Sequence, residues 1–120
     1  MSPRSLLPPA WLPLEHALQQ RRPVSLSYHG RQRLVSPHAL GWSKGRLVVL
    51  VYQSHTADGP TALRADPHTR WRCMFVDEVE NVAAAEETCA WQSADNYDSK
   101  HPFSAIDSVI AAVEMVGDGG

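Results

Sequence analysis

The sequence predicts a mainly β domain, a small barrel or rolled sheet flanked by a short N-terminal and a C-terminal helix. Three observations predict it. Short stretches of period-two alternation or of unbroken apolar residues follow one another at hairpin spacing. Glycine-bearing turns separate them. The length, 120 residues, suits one domain able to bury a core without staples.

Residues 1–13 read as a proline-rich arm, with Pro3, Pro8, Pro9 and Pro13, and with Leu6, Leu7, Trp11 and Leu12 as anchors. Leu14, Ala17 and Leu18 then recur at helical spacing, and Pro23 stops that helix. Val24, Leu26 and Tyr28 alternate with Ser25 and Ser27, a half-buried strand. His29-Gly30 is the turn and Arg31 to Ser36 the return strand, closed by Pro37. After the turn at Ser43-Lys44-Gly45, Leu47 to Tyr52 is apolar at every position, which requires cover on both faces. Residues 54–70 form a long polar loop, functional or mobile. Trp71 to Val76 and Val79 to Ala84 are the last strands. Residues 85–103 have no clean period. Ser104 and Asp107 then read as the start of a helix over 104–116, with the stripe Ile106, Val109, Ile110 and Val113. The organisation is thus an arm at 1–13, a β domain at 14–84 and an acidic extension at 85–120.

Net charge is −2, but it is split. Residues 1–72 carry ten basic and three acidic side chains, hence +7; residues 73–120 carry one basic and ten acidic, hence −9. Such asymmetry points to an anionic partner for the basic half, or to two regions that neutralise each other. At 43% hydrophobic the chain is not a disordered one. No apolar run reaches the roughly 20 residues of a membrane helix, so no membrane partner is expected. The start is broken by prolines, so no signal peptide is expected. Cys73 and Cys89 make no disulfide framework, so the expected compartment is the cytoplasm, with both thiols reduced.

Chemistry-bearing patterns are few. His55, His68, Cys73 and Cys89 lack zinc-ligand spacing, so no metal is expected. No nucleophile motif, phosphate loop or dinucleotide fingerprint occurs, so neither an enzyme nor a cofactor is expected. What stands out is a basic and aromatic set: Tyr28, Arg31, Arg33, Arg46 and Arg72. Guanidinium forks bind phosphate oxygens bidentately, and an aromatic ring can stack a base. His38, next to Pro37, is placed at the mouth of that set. The bland reading is that these arginines decorate a solvated strand or pair with the acidic half.

The order of pieces over residues 14–83 resembles the WYL-domain family of bacterial proteins. The resemblance is carried by the helix ending in Arg21-Arg22-Pro23, the strand ending at Tyr28 and the run Arg33-x-Val35-x-Pro37. Leu40, the strand ending in Val51-Tyr52 and Arg72-x-x-x-Val76-Asp77 complete it. Three positions depart from the family pattern. The naming tripeptide falls on Leu47-Val48-Val49, Met74 replaces a phenylalanine and Glu78 replaces an arginine. The resemblance implies an SH3-like or Sm-like five-stranded barrel. It also implies a regulatory, ligand-sensing role with single-stranded nucleic acid or a nucleotide as ligand, and Tyr28, Arg33 and Arg72 among the contacts. The family's DNA-binding winged helix-turn-helix has no room here, so a free-standing module is expected. The competing expectation is a protein-interaction or homodimerisation module, with the last helix or the Trp11 arm meeting the partner.

Overall fold

A computed structural model describes residues 8–56, 59–60, 70–85, 89–94, 97 and 106–113. Its elements are helix α1 (Trp11–Gln20) and strands β1 (Val24–Tyr28), β2 (Arg31–Ser43), β3 (Arg46–Thr56), β4 (Gly59–Pro60), β5 (Trp71–Phe75), β6 (Val79–Ala84) and β7 (Ser108–Ala112). A 3₁₀ turn, Val76–Glu78, joins β5 to β6.

The helix starts at Trp11, earlier than the stripe from Leu14 implied, and takes in part of the expected arm. Pro13 is tolerated because its missing N–H falls among the first-turn donors that have no intrahelical partner. Trp11, Leu14, Ala17 and Leu18 form the buried face. Arg21 ends the helix in the left-handed region, donating its N–H to Leu18 O at 3.2 Å; Arg22 donates to Ala17 O at 2.9 Å.

Both hairpins turn on two residues of positive φ. They are His29 (52°) with Gly30 (78°), and Lys44 (51°) with Gly45 (82°). That pairing of signs matches the twist of the flanking strands, and a glycine at the second position makes it accessible. β1 runs as the alternation predicts and β6 covers the expected Val79 to Ala84, but Pro37 does not close β2. The strand runs on to Ser43, because Pro37 sits at a register irregularity before Ala39, where a proline costs little ladder bonding.

The sheet order is β4-β3-β2-β1-β6, with β5 also on β3 and β7 also on β2. The 3₁₀ turn therefore carries the chain in three residues from the β3 side to the β1 side of the sheet. Only a strongly curled sheet permits that. Among the described residues no ladder joins β5 to β6, so the sheet is open.

Residues paired across a ladder project to one face. The inner face of the curl carries Val24, Leu26, Val35, Val49, Val51 and Met74, none more than 3% exposed. On the other face lie Ser36, Tyr52 and Trp71. The continuous burial of Val48 to Gln53 is the two-sided cover that the apolar run required.

The expected C-terminal helix is corrected over its described part, which is strand β7, antiparallel to β2. Ser104 and residues 114–116 of that expectation lie outside the described residues, as do residues 57–58 and 61–69 of the expected loop. Two β-branched residues, Val109 and Ile110, suit an extended backbone. The second half of β2, beyond the reach of β1, offers a free edge for it. The stripe splits accordingly: Ile106 and Val113 are buried, Val109 and Ile110 exposed. Asp107 caps no helix; its carboxylate accepts the Lys44 N–H at 2.7 Å and its own N–H donates to Trp42 O at 2.8 Å. Tyr97, Ile106 and Val113 join the same core as α1 and the sheet, so these residues of the acidic extension belong to the domain.

Gly41 makes the β7 contact possible. A Cβ there would lie 2.3 Å from Ser108 O and 2.7 Å from Ile106 Cγ2. Gly41→Ala is expected to destabilise the fold by about 1–3 kcal/mol through this overlap. Urea denaturation of the two proteins measures it, and equal midpoints would mean that β7 does not pack there.

Candidate functional site

The six residues singled out in the sequence fall into three separate places. Tyr28, Arg31, Arg33 and Arg72 come together on the inner face, at one end of the curl. Register explains this: Arg31 pairs with Tyr28, Arg33 with Leu26, and Arg72 with Val51. Arg33 is half-buried and its guanidinium carbon lies 5.4 Å from the centroid of the Tyr28 ring. Its Nη1 donates to Gln53 Oε1 at 3.2 Å, while its buried Nε has no hydrogen-bond partner. Burial holds the Arg33 pKa below its ordinary value, and the charges of Arg72 and Arg31 push it the same way. Arg33 is thus a partly desolvated cation among cations. Arg72 itself donates to Trp71 O at 2.8 Å.

Tyr28 is not an open stacking platform. It is 9% exposed, its hydroxyl accepts the Phe75 N–H at 3.1 Å, and the His29 ring stacks on it at 4.0 Å. Its position links β1 to β5 and carries Arg33.

Arg46 belongs elsewhere. Its Nη2 donates to Asp77 Oδ1 at 2.7 Å and to Glu78 Oε2 at 2.8 Å, and its guanidinium lies 3.7 Å from the centroid of the Phe75 ring. Glu78 also meets the His29 Nε2. Hydrogen bonds from Arg46 and then His29 hold the Glu78 carboxyl below its ordinary range, and Glu78 and Asp77 raise the Arg46 pKa. The glutamate that departs from the resembled pattern is therefore the counter-charge of Arg46. These contacts fasten the 3₁₀ turn to both hairpin turns.

His38 is a further correction. It does not sit at the mouth of the basic set but is fully buried among Trp71, Trp91 and Tyr97, whose rings lie 4.6, 4.2 and 4.9 Å away. Its Nδ1–H donates to Ser36 O at 2.7 Å, which leaves Nε2 bare to accept the Ser93 hydroxyl at 2.9 Å. The Gln92 N–H to Ser36 Oγ bond and the Trp91 indole N–H to Pro37 O bond complete the seam that ties residues 91–93 to β2. Burial, with Arg21 adding to it, lowers the His38 pKa to about 4 despite the Ser36 bond.

Two members of this region escaped the sequence reading. Gln53, 3% exposed, meets Arg33, and Arg70 Nη1 reaches Tyr52 Oη at 3.5 Å. The signal for Gln53 is in the sequence: it is the polar residue that follows the apolar run Leu47 to Tyr52, and a buried amide needs a partner.

The hollows beside α1 do not include the basic set. One of about 330 Å³ lies between α1 and β6, near His16, Gln20 and Arg22. Arg31 and Arg72 are exposed and Arg33 is half-buried. Among the described residues no group of three or more His, Cys, Asp or Glu side chains could hold a metal ion, and Cys73 and Cys89 are free thiols. No described helix is long and apolar enough to cross a membrane. No protein-family profile, characterised protein or solved structure matches the chain.

The His38 geometry predicts a pH dependence. The folded pKa of about 4 lies below the ordinary 6.5, so the unfolded chain binds the proton first. Stability is whole above about pH 6.5 and falls as pH drops toward about 4, by about 3 kcal/mol in total. Urea midpoints across that range measure the fall, and His38→Phe should flatten it. An unchanged slope in the variant would assign the acid sensitivity to other groups.

Proposed function

We propose that this chain is a WYL-like regulatory module that binds an anionic, phosphate-bearing ligand, single-stranded nucleic acid or a nucleotide. The binding face is that of Arg31, Arg33 and Arg72. It acts by binding, not by catalysis. One observation carries the reading. Arg33 is partly desolvated between like charges, with a neutral amide and a tyrosine ring as its partners, whereas Arg46 holds two carboxylates. The charges of Arg72 and Arg31 act against that of Arg33, and a phosphate placed among them would offset this repulsion. Two further features support it. The short 3₁₀ connection between β5 and β6 is what an SH3-like barrel needs. Asp77 and Glu78, the first carboxylates after Arg72, are engaged with Arg46. Within this reading Tyr28 is a positioning residue, and Arg46 and His38 leave the ligand set.

A second reading, a homodimeric module, has an observation of its own. Trp42, Val109 and Ile110 are 41%, 41% and 47% exposed on β7 and the part of β2 beside it. Strand β7 has β2 on one edge and, among the described residues, no strand on the other. It carries neither charge nor proline, so nothing in it repels a second copy of itself.

Titration of short labelled RNA and DNA against salt tests the first reading. Log affinity should fall linearly with log salt, and Arg33→Gln and Arg72→Gln should each make the slope shallower by about 0.7. Arg46→Gln should leave the slope unchanged. No binding at low salt, or a slope that neither substitution moves, sinks the proposal. Sedimentation over a range of concentrations tests the second reading. A dimer that Ile110→Lys dissociates supports it, and a monomer throughout excludes it.

A further inference from the structure

We infer that His29 is the base-stacking residue of this face, so that the ligand is read through an unpaired nucleobase as well as through its phosphate. The inference rests on the nucleic-acid reading above and goes beyond it in naming which part of the ligand is recognised and by what. Tyr28, the aromatic residue that sequence favours for stacking, has its ring buried and its hydroxyl bonded to the Phe75 N–H. The His29 ring lies on it nearly parallel, 4.0 Å between centroids and 18° between planes, and its side chain is 59% exposed. An aromatic ring already stacked on a buried one is oriented before any ligand arrives, which lowers the ordering cost of binding. A base added to the exposed side would extend the Tyr28–His29 stack.

A cation neighbours the ring. Arg33 and His29 both lie against the Tyr28 ring, so the guanidinium and the imidazole are no further apart than the sum of their two distances to it. A strand passing over this end of the curl could therefore place a phosphate near Arg33 and a base on His29. Arg31 follows His29 by two residues and pairs with Tyr28, adding a second guanidinium on the same strand end. The contact of His29 Nε2 with Glu78 fixes the imidazole at its edge, and the side chain stays largely exposed. Glu78 would repel a phosphate, but Arg46 shares its charge. The backbone adds a consistent sign: His29 holds a left-handed φ of 52° at a turn position where asparagine or glycine would fit with less strain.

Stacking predicts a preference for bases that are not already paired. The test compares a short oligodeoxyadenylate, an abasic oligomer of equal length, and a duplex, each titrated with the full chain. The expected result is tighter binding of the oligodeoxyadenylate than of the abasic strand. His29→Ala should reduce affinity for the base-bearing strand about 5- to 100-fold, toward the abasic level. It should leave the salt slope unchanged, since no phosphate contact is lost. His29→Phe should retain the affinity. Asp77→Asn loosens the same turn through Arg46 and leaves the His29–Glu78 contact in place, and it should retain the affinity too. If Asp77→Asn loses as much as His29→Ala, turn geometry rather than stacking is responsible and the inference falls. If His29→Ala binds like the parent while Arg33→Gln still weakens binding, the inference falls and the basic face stands. If the parent binds none of the three probes, both fall.

Discussion

The β2–β3 ladder, from the Ser43–Arg46 pair at its closed end to Arg33–Thr56 at the other, is the constraint on which the remaining structure depends. β1 and β7 share the outer edge of β2, and β4 and β5 share that of β3. Because side chains alternate along a strand, this one register decides which residues look into the curl and which look out. It sends Val35, Val49 and Val51 inward with Arg33 and Gln53 at one end. It sends Tyr52 outward, to meet Trp71. A slip of one residue would exchange the two sets, turning the core valines and Arg33 outward. The turn that sets the register is Lys44-Gly45, whose N–H at Lys44 is held by Asp107, so the C-terminal segment fastens the hairpin it packs against.

The charge asymmetry of the sequence acquires a location in this frame. The first acidic residues after Arg72, Asp77 and Glu78, do not face Arg33. They occupy the 3₁₀ turn, where Arg46 and His29 meet them. These are exposed contacts, individually weak in water. Their importance is geometric. They fix the turn that carries the chain across the curl, and they fix the His29 ring at its edge. The basic set at Arg31, Arg33 and Arg72 and the clasp at Arg46 are thus two electrostatic systems, joined through Tyr28, His29 and Phe75.

The parts of the fold legible in the sequence are those governed by local pattern. The alternation Val24, Leu26, Tyr28 marked β1, the X-Gly pairs marked both hairpin turns, and the unbroken run at Leu47 to Tyr52 marked a strand covered twice. The face shared by Arg31 and Arg33 followed from the same alternation. Where the reading failed, a distant partner had the deciding vote. Ile106, Val109, Ile110 and Val113 have helical spacing, yet their segment is strand because the edge of β2 lies beside it and Gly41 leaves room. His38 was assigned to the basic face from its neighbour Pro37. A bulge in β2 and the aromatic residues of 91–97, far away in sequence, instead enclose it. Arg46 was grouped with the other arginines by charge alone, whereas two carboxylates more than thirty residues later claim it.

Sequence by itself therefore determined the strand-rich class, the turns, and the residue types able to meet an anion, because dihedral preference and side-chain alternation act within a few residues. Only the tertiary structure decided which of the arginines stand together. It alone decided that Tyr28 supports rather than presents, and that residues 108–112 are strand. The physical reason is the same in each case. Burial, ion pairing and ladder completion are contacts between segments remote in the chain, and their free energies exceed the small local preferences that a sequence pattern expresses.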